Sequence, residues 1–144
     1  MSAKLEPAPG AAPSKTMPTI LLVDDKDDSR VTTKWFLSNF GYEVDTARTA
    51  EEALLLFNPK IHDLVITDNS MPGMTGAEMA LVIKMRAPST PVIMFTGGPP
   101  NDVSQLDMVI QRPTPLLRLK DAVQSVLSKK VAEPENDGEK NGAG

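Results

Sequence analysis

The chain has 144 residues, 40% of them hydrophobic and 24% charged, proportions that exclude wholesale disorder and leave room for one domain of ordinary size. Zero cysteines remove disulfides, thiolate metal sites and cysteine nucleophiles together. A formal net charge of −4 argues against a dedicated nucleic-acid binder, and no apolar run approaches the length of a membrane span.

Residues 1–18 are rich in Ala, Pro and Gly and carry few sizeable apolar groups, so they are expected to form a disordered N-terminal tail. They open on Met1-Ser2-Ala3-Lys4 followed by prolines and alanines, which does not resemble a secretory signal; a cytoplasmic location is expected. Residues 131–144 hold four acids and one lysine and are expected to be a disordered acidic C-terminal tail. The folded domain is placed at 19–130.

Within it, short apolar and β-branched runs at Thr19–Val23, Tyr42–Thr46, Leu64–Thr67, Val92–Phe95 and Met108–Ile110 are predicted as strands. The first, third and fourth are apolar on both faces, as befits strands covered by helices on each side. A helix is predicted over about Ser29–Phe40, with Val31, Trp35 and Phe36 turned to the core and Gly41 as its stop. Thr49 and Glu52 form a capping-box pattern ahead of Ala53, Leu54, Leu56 and Phe57. Thr75 and Glu78 repeat the device ahead of Met79, Val82 and Ile83. Thr114-Pro115 opens the last helix, which carries Leu116, Leu119, Val123, Val126 and Leu127. Gly97–Asp107 contains two glycines and two prolines and leaves space for one or two helical turns at most, so the fourth helix is expected to be shortened or missing. Strand–helix alternation implies parallel strands with right-handed crossovers, and a doubly wound α/β sheet is predicted.

Ligands in such sheets bind beyond the carboxyl ends of the strands. The polar residues there are Asp24 and Asp25 after the first strand, Asp68 after the third, Thr96 after the fourth and Arg112 after the fifth. Three carboxylates brought together repel one another unless a cation joins them. Oxygen donors without His or Cys suit a hard ion, and Mg²⁺ favours a few carboxylates with water and phosphate. A carboxylate can also act as the nucleophile that forms an aspartyl phosphate.

Ile20-Leu21-Leu22-Val23-Asp24-Asp25, the run from Asp68 to Gly76 and Val92-Ile93-Met94-Phe95-Thr96-Gly97 resemble the receiver domains of two-component response regulators. Gly41-Tyr42-Glu43-Val44 and Glu51-Glu52-Ala53-Leu54 agree, and the likeness covers about residues 18–128. It implies a five-stranded parallel sheet of flavodoxin-like order 2-1-3-4-5. It implies Asp68 as phosphoacceptor, Asp25 as a direct Mg²⁺ ligand, Asp24 acting through water, Ser70 lending its backbone carbonyl, and Thr96 bonding the phosphoryl group after transfer. The partners it implies are a histidine kinase or histidine phosphotransfer protein as donor and a downstream output protein, since the chain has no space for an output domain; neither nucleic acid nor membrane is among them.

The sequence departs from the family pattern in two places. Arg112 stands before Pro113 where a lysine is usual, replacing a compact ammonium by a planar fork; the resemblance implies that it takes the lysine's place and, with Thr96, stabilises the phosphorylated Asp68. Val109 stands where an aromatic switch residue is often found. The expectation is a stand-alone phosphoacceptor that catalyses only its own modification, so it is not counted as an enzyme. The alternative is a degenerate receiver acting as a phosphorylation-independent interaction module. A hydrolase of haloacid-dehalogenase type is set aside because Ser70 occupies the place of the second aspartate that it needs. His62, Asp27 and Asp28 are assigned no part in the chemistry.

Overall fold

The computed structural model describes residues 17–136, with side chains as far as Lys129. The predicted tails therefore lie outside the described residues, apart from Met17, Pro18 and the backbone of 131–136. Five strands, β1 (Thr19–Val23), β2 (Glu43–Ala47), β3 (Leu64–Thr67), β4 (Val92–Thr96) and β5 (Met108–Gln111), form one parallel sheet in the order β2-β1-β3-β4-β5. Four helices, α1 (Asp27–Ser38), α2 (Ala50–Leu56), α3 (Gly76–Arg86) and α4 (Leu116–Asn136), complete the doubly wound α/β fold that the alternation predicts.

The apolar strands build two layers because successive side chains point to opposite faces. Ile20 and Leu22 of β1 join Leu37 of α1 and Leu119, Val123 and Val126 of α4 on one face. Leu21 and Val23 join Ala50 and Ala53 of α2 and Met79 and Ile83 of α3 on the other. Each of β1, β3 and β4 is buried along its whole length, which accounts for the two-sided apolar runs.

Local sequence sets the helix ends. Thr75 and Glu78 make the complete capping box: Glu78 N–H donates to Thr75 Oγ1 (3.1 Å) and Thr75 N–H to Glu78 Oε1 (2.9 Å). At α2 the box is displaced by one residue. Thr49 Oγ1 accepts from Glu52 N–H, but the Glu52 carboxylate accepts from Arg48 N–H instead of Thr49 N–H. Gly41 takes φ +95°, a conformation that costs a residue with a Cβ, as the chain turns from α1 into β2.

Several expectations are corrected. Val31 and Trp35 are 62% and 67% exposed, and α1 buries Thr33 and Leu37 with Phe36 half-buried. Val31 and Trp35 are themselves four residues apart, so spacing alone could not choose between their stripe and that of Thr33 and Leu37. Leu56 is exposed, and Ala50, Ala53 and Phe57 form the buried side of the α2 segment. The last helix runs from Leu116 to Asn136. His62, given no part in the chemistry, is buried; its Nδ1 accepts from Asn58 N–H (3.1 Å), and its Nε2 lies 2.9 Å from Asp45 Oδ2.

Residues 97–107 contain no helix, so the fourth helix is missing rather than shortened. Leu106 instead packs against the α2–α3 layer. The return into β5 is fixed by Asp107, whose carboxylate accepts from Val92 N–H and Lys84 Nζ, each at 2.8 Å.

The α3 N-terminus lies against the end of β3. Gly76 N–H donates to Asn69 O, and a Cβ at Gly76 would collide with the carbonyl oxygen of Asp68. Gly76→Ala should therefore lower stability by about 1–3 kcal/mol, because the obstacle is backbone and cannot rotate away. Denaturant unfolding checks this, and an unchanged midpoint would show that the α3 start is loosely packed.

Candidate functional site

Asp68 and Asp24 are the first residues past β3 and β1, and their backbone N–H groups extend the sheet ladder to Val23 O and Ala47 O, each at 3.1 Å. Both carboxylates are thereby held at the carboxyl edge of the sheet, and both are buried. Asp68 divides its two oxygens between different tasks. Oδ1 accepts from Thr96 Oγ1 (2.5 Å), Asn69 N–H (2.7 Å) and Ser70 N–H (3.3 Å). Thr96 Oγ1 in turn accepts from Gly98 N–H (3.1 Å), which fixes the direction of its proton. Oδ2 faces Lys26, whose Nζ lies 3.5 Å away.

Asp24 is held by the start of α1. Its Oδ1 accepts from Lys26 N–H (3.0 Å), its Oδ2 from Ser29 Oγ (2.6 Å), and its backbone carbonyl from Arg30 Nη1 (3.0 Å). Arg112 reaches this group across the sheet edge. Its Nη2 donates to Ser29 Oγ (2.8 Å), its Nη1 lies 3.7 Å from Asp24 Oδ2, and its guanidinium sits 4.6 Å from the centre of the Phe95 ring.

Carboxylate oxygens of Asp24, Asp25 and Asp68 lie within 4.8 Å of one another. The set holds only oxygen donors, two of them buried, which fits a hard divalent cation and not a thiolate- or imidazole-seeking metal. Lys26 stands beside it, with Nζ 3.4 Å from Asp25 Oδ1. Partial burial works to lower the Lys26 pKa, but Asp68, Asp25 and Asp24 outweigh it and the net shift is upward. The ammonium is thus firmly protonated. A cleft of about 760 Å³ opens over these groups, lined by Lys26, Asp68, Ser70, Thr96 and Arg112 among others.

All six residues singled out in the sequence, Asp24, Asp25, Asp68, Ser70, Thr96 and Arg112, converge on this edge. The placement of Arg112 differs from the simplest expectation, because among the described residues its ion pair is with Asp24 and not with Asp68. Sequence reasoning missed Lys26 and Ser29. The available signal for Lys26 was its position directly after Asp25, in the same strand-end loop; Ser29 carried none, since a serine near a helix start is ordinary.

The family profile of the response regulator receiver domain matches residues 20–110. The chain is 29% identical over 140 residues to the autoinducer 1 sensor kinase/phosphatase LuxN of Vibrio campbellii, a match covering 92% of this chain and 16% of that protein. It is 41% identical over 78 residues to the regulatory protein VanRB of Enterococcus faecalis, covering 54% of this chain and 34% of the relative. The chain thus spans a minor part of the length of these curated relatives. Among solved structures, the response regulator TrrA of Thermotoga maritima in complex with Mg²⁺-BeF is similar at 32% identity and TM-score 0.70, covering 76% of this chain and 99% of that one. A receiver domain protein of Methanospirillum hungatei is similar at 28% identity and TM-score 0.75, covering 80% and 97%. With the profile spanning most of the chain and the acidic edge in place, this protein belongs to the response regulator receiver domain family of two-component systems.

Proposed function

We propose that the protein is the phosphoacceptor of a two-component phosphorelay, modified on Asp68 by a phosphohistidine of a histidine kinase or histidine phosphotransfer protein. The observation that carries this reading is the asymmetry of Asp68: Oδ1 holds three donors, while Oδ2 is turned to the cleft beside Asp25 and Lys26. Oδ2 is the oxygen placed to attack. It forms an O–P bond as the P–N bond of the phosphoimidazole breaks, and the imidazole leaves with the electron pair and regains a proton from solvent. The donors on Oδ1 hold the carboxylate in one orientation for this displacement.

Asp25 and Asp68, with the Ser70 carbonyl and Asp24 acting through water, would hold Mg²⁺. When bound, the ion supplies positive charge that shields the phosphoryl oxygens from the acids. Thr96 passes from Asp68 Oδ1 to a phosphoryl oxygen, and Arg112 keeps Asp24 in place. The product signals through contact with an output protein, and the chain acts as a signalling module rather than on a separate substrate. Among the described residues, no helix is long and apolar enough to cross a membrane.

The alternative, a phosphorylation-independent interaction module, draws on one observation: Arg112 is engaged with Asp24, Ser29 and Phe95 rather than with Asp68. One experiment separates the two. Incubation with acetyl phosphate and Mg²⁺ should add one phosphoryl group by intact mass, and Asp68→Asn should abolish the addition. An unmodified wild-type protein would leave the interaction module as the better reading.

The same geometry predicts a stability effect. In chelator, Asp68→Asn removes one of three mutually repelling charges while keeping an acceptor at Oδ1, and should stabilise the fold by ~1 kcal/mol. Mg²⁺ should then raise the unfolding midpoint of the wild type and not that of the variant. Equal stability in chelator would mean that Lys26 and Arg112 already neutralise the cluster.

A further inference from the structure

We propose that Lys26, delivered by the loop between β1 and α1, is the cation that pairs with the phosphoryl group on Asp68. The inference rests on the phosphoacceptor reading and assigns within it a role for which Arg112 was the candidate in the sequence.

Position is the first argument. Lys26 Nζ lies 3.5 Å from Asp68 Oδ2, the oxygen turned to the cleft, and 3.4 Å from Asp25 Oδ1. The cation is therefore already at the reacting oxygen. Arg112 is engaged elsewhere: one nitrogen on Ser29, another facing Asp24, and the guanidinium plane over Phe95. Moving it toward a phosphoryl group would break all three contacts.

The second argument is the division between a fixed backbone and a free side chain. Lys26 N–H donates to Asp24 Oδ1 and Lys26 O accepts from Arg30 N–H, so the residue is anchored as the N-cap of α1. Its side chain is 60% exposed, and among the described residues its ion pairs are with the two acids. A flexible four-carbon stem carrying a compact ammonium can follow the negative charge as it moves from Asp68 Oδ2 to the phosphoryl oxygens. A guanidinium fork fixed on three partners cannot.

The placement has a further consequence. Lys26 Nζ sits against two of the carboxylates that would also hold Mg²⁺, so its ammonium and the ion would compete for Asp25. The metal would supply positive charge at the acids, and Lys26 would supply it at the phosphoryl group.

The test uses the full chain with Lys26→Ala and Arg112→Ala, with acetyl phosphate and beryllofluoride as probes. At saturating Mg²⁺, Lys26→Ala should slow phosphoryl incorporation, followed by intact mass, by about tenfold and weaken beryllofluoride binding to a similar degree. In the absence of any phosphodonor, Mg²⁺ titration followed by NMR should show roughly threefold tighter binding in Lys26→Ala, since a competing exposed cation is gone. Wild-type incorporation in Lys26→Ala, or a larger loss in Arg112→Ala, would overturn the assignment while leaving Asp68 as phosphoacceptor. Weaker Mg²⁺ binding in Lys26→Ala would also overturn it, by showing that the lysine holds the acids together instead of competing for them. Failure of the wild type itself to take up a phosphoryl group would bring down the phosphoacceptor reading, and the role of Lys26 with it.

Discussion

A carboxylate buried at the end of a central strand has to be satisfied, and the surroundings of Asp68 are arranged to do so. An uncompensated buried charge costs several kcal/mol, so each donor around Asp68 is under constraint. Thr96 must bring a hydroxyl from the neighbouring strand, and the chain must turn sharply enough for two successive N–H groups to reach Oδ1. That turn is itself held by Asn69, whose Oδ1 accepts from Ala77 N–H and whose Nδ2 reaches Gly98 O. Gly76 is small because α3 starts against the Asp68 carbonyl. The satisfied oxygen and the open one are two results of the same packing.

Charge balance at the edge is spread over three elements. Lys26 faces Asp68 and Asp25 from the loop before α1, Arg112 faces Asp24 from beyond β5, and Arg30 of α1 reaches back to the Asp24 carbonyl. The two cations at the acids differ in kind. Arginine, planar and held over an aromatic face, suits a fixed structural position; lysine, on a flexible stem, suits a charge that moves. Replacement of the usual lysine beyond β5 by Arg112 therefore need not leave the site without a mobile cation, because Lys26 has the matching chemistry.

The side of the sheet covered by α2 and α3 manages with one helix fewer than the alternation would supply. Leu106 fills part of that layer from an irregular segment, and Asp107 restores the register by tying β4 to α3 through Val92 and Lys84. Leu81 of α3 is left exposed beside this connection, in a groove it shares with Pro100 and Leu106. The opposite layer is closed by α4, whose Leu119, Val123 and Val126 pack with Leu37 and Ile93.

Much of this was legible in the sequence because it is encoded locally. Two-sided apolar runs bounded by turns marked β1, β3 and β4, capping residues marked α2 and α3, and the position of Asp24, Asp25, Asp68 and Thr96 just past or at strand ends placed them on one edge without any knowledge of tertiary contacts. Two prolines and two glycines after β4 announced the lost helix. The rotation of α1 was not legible, since Val31 with Trp35 and Thr33 with Leu37 offer the same spacing; contact with the sheet and with Asp24 chose between them. His62 likewise became a core residue only through Asp45 and Asn58, which are distant from it or silent in sequence. The sequence by itself determined which acids meet, because strand ends are local features and parallel strands put all their carboxyl ends on one edge; the strand order came only from the family resemblance. Only the tertiary structure decided which cation meets which acid, because long flexible side chains from the β1–α1 loop and from beyond β5 reach the same cleft, and their partners depend on packing across the sheet.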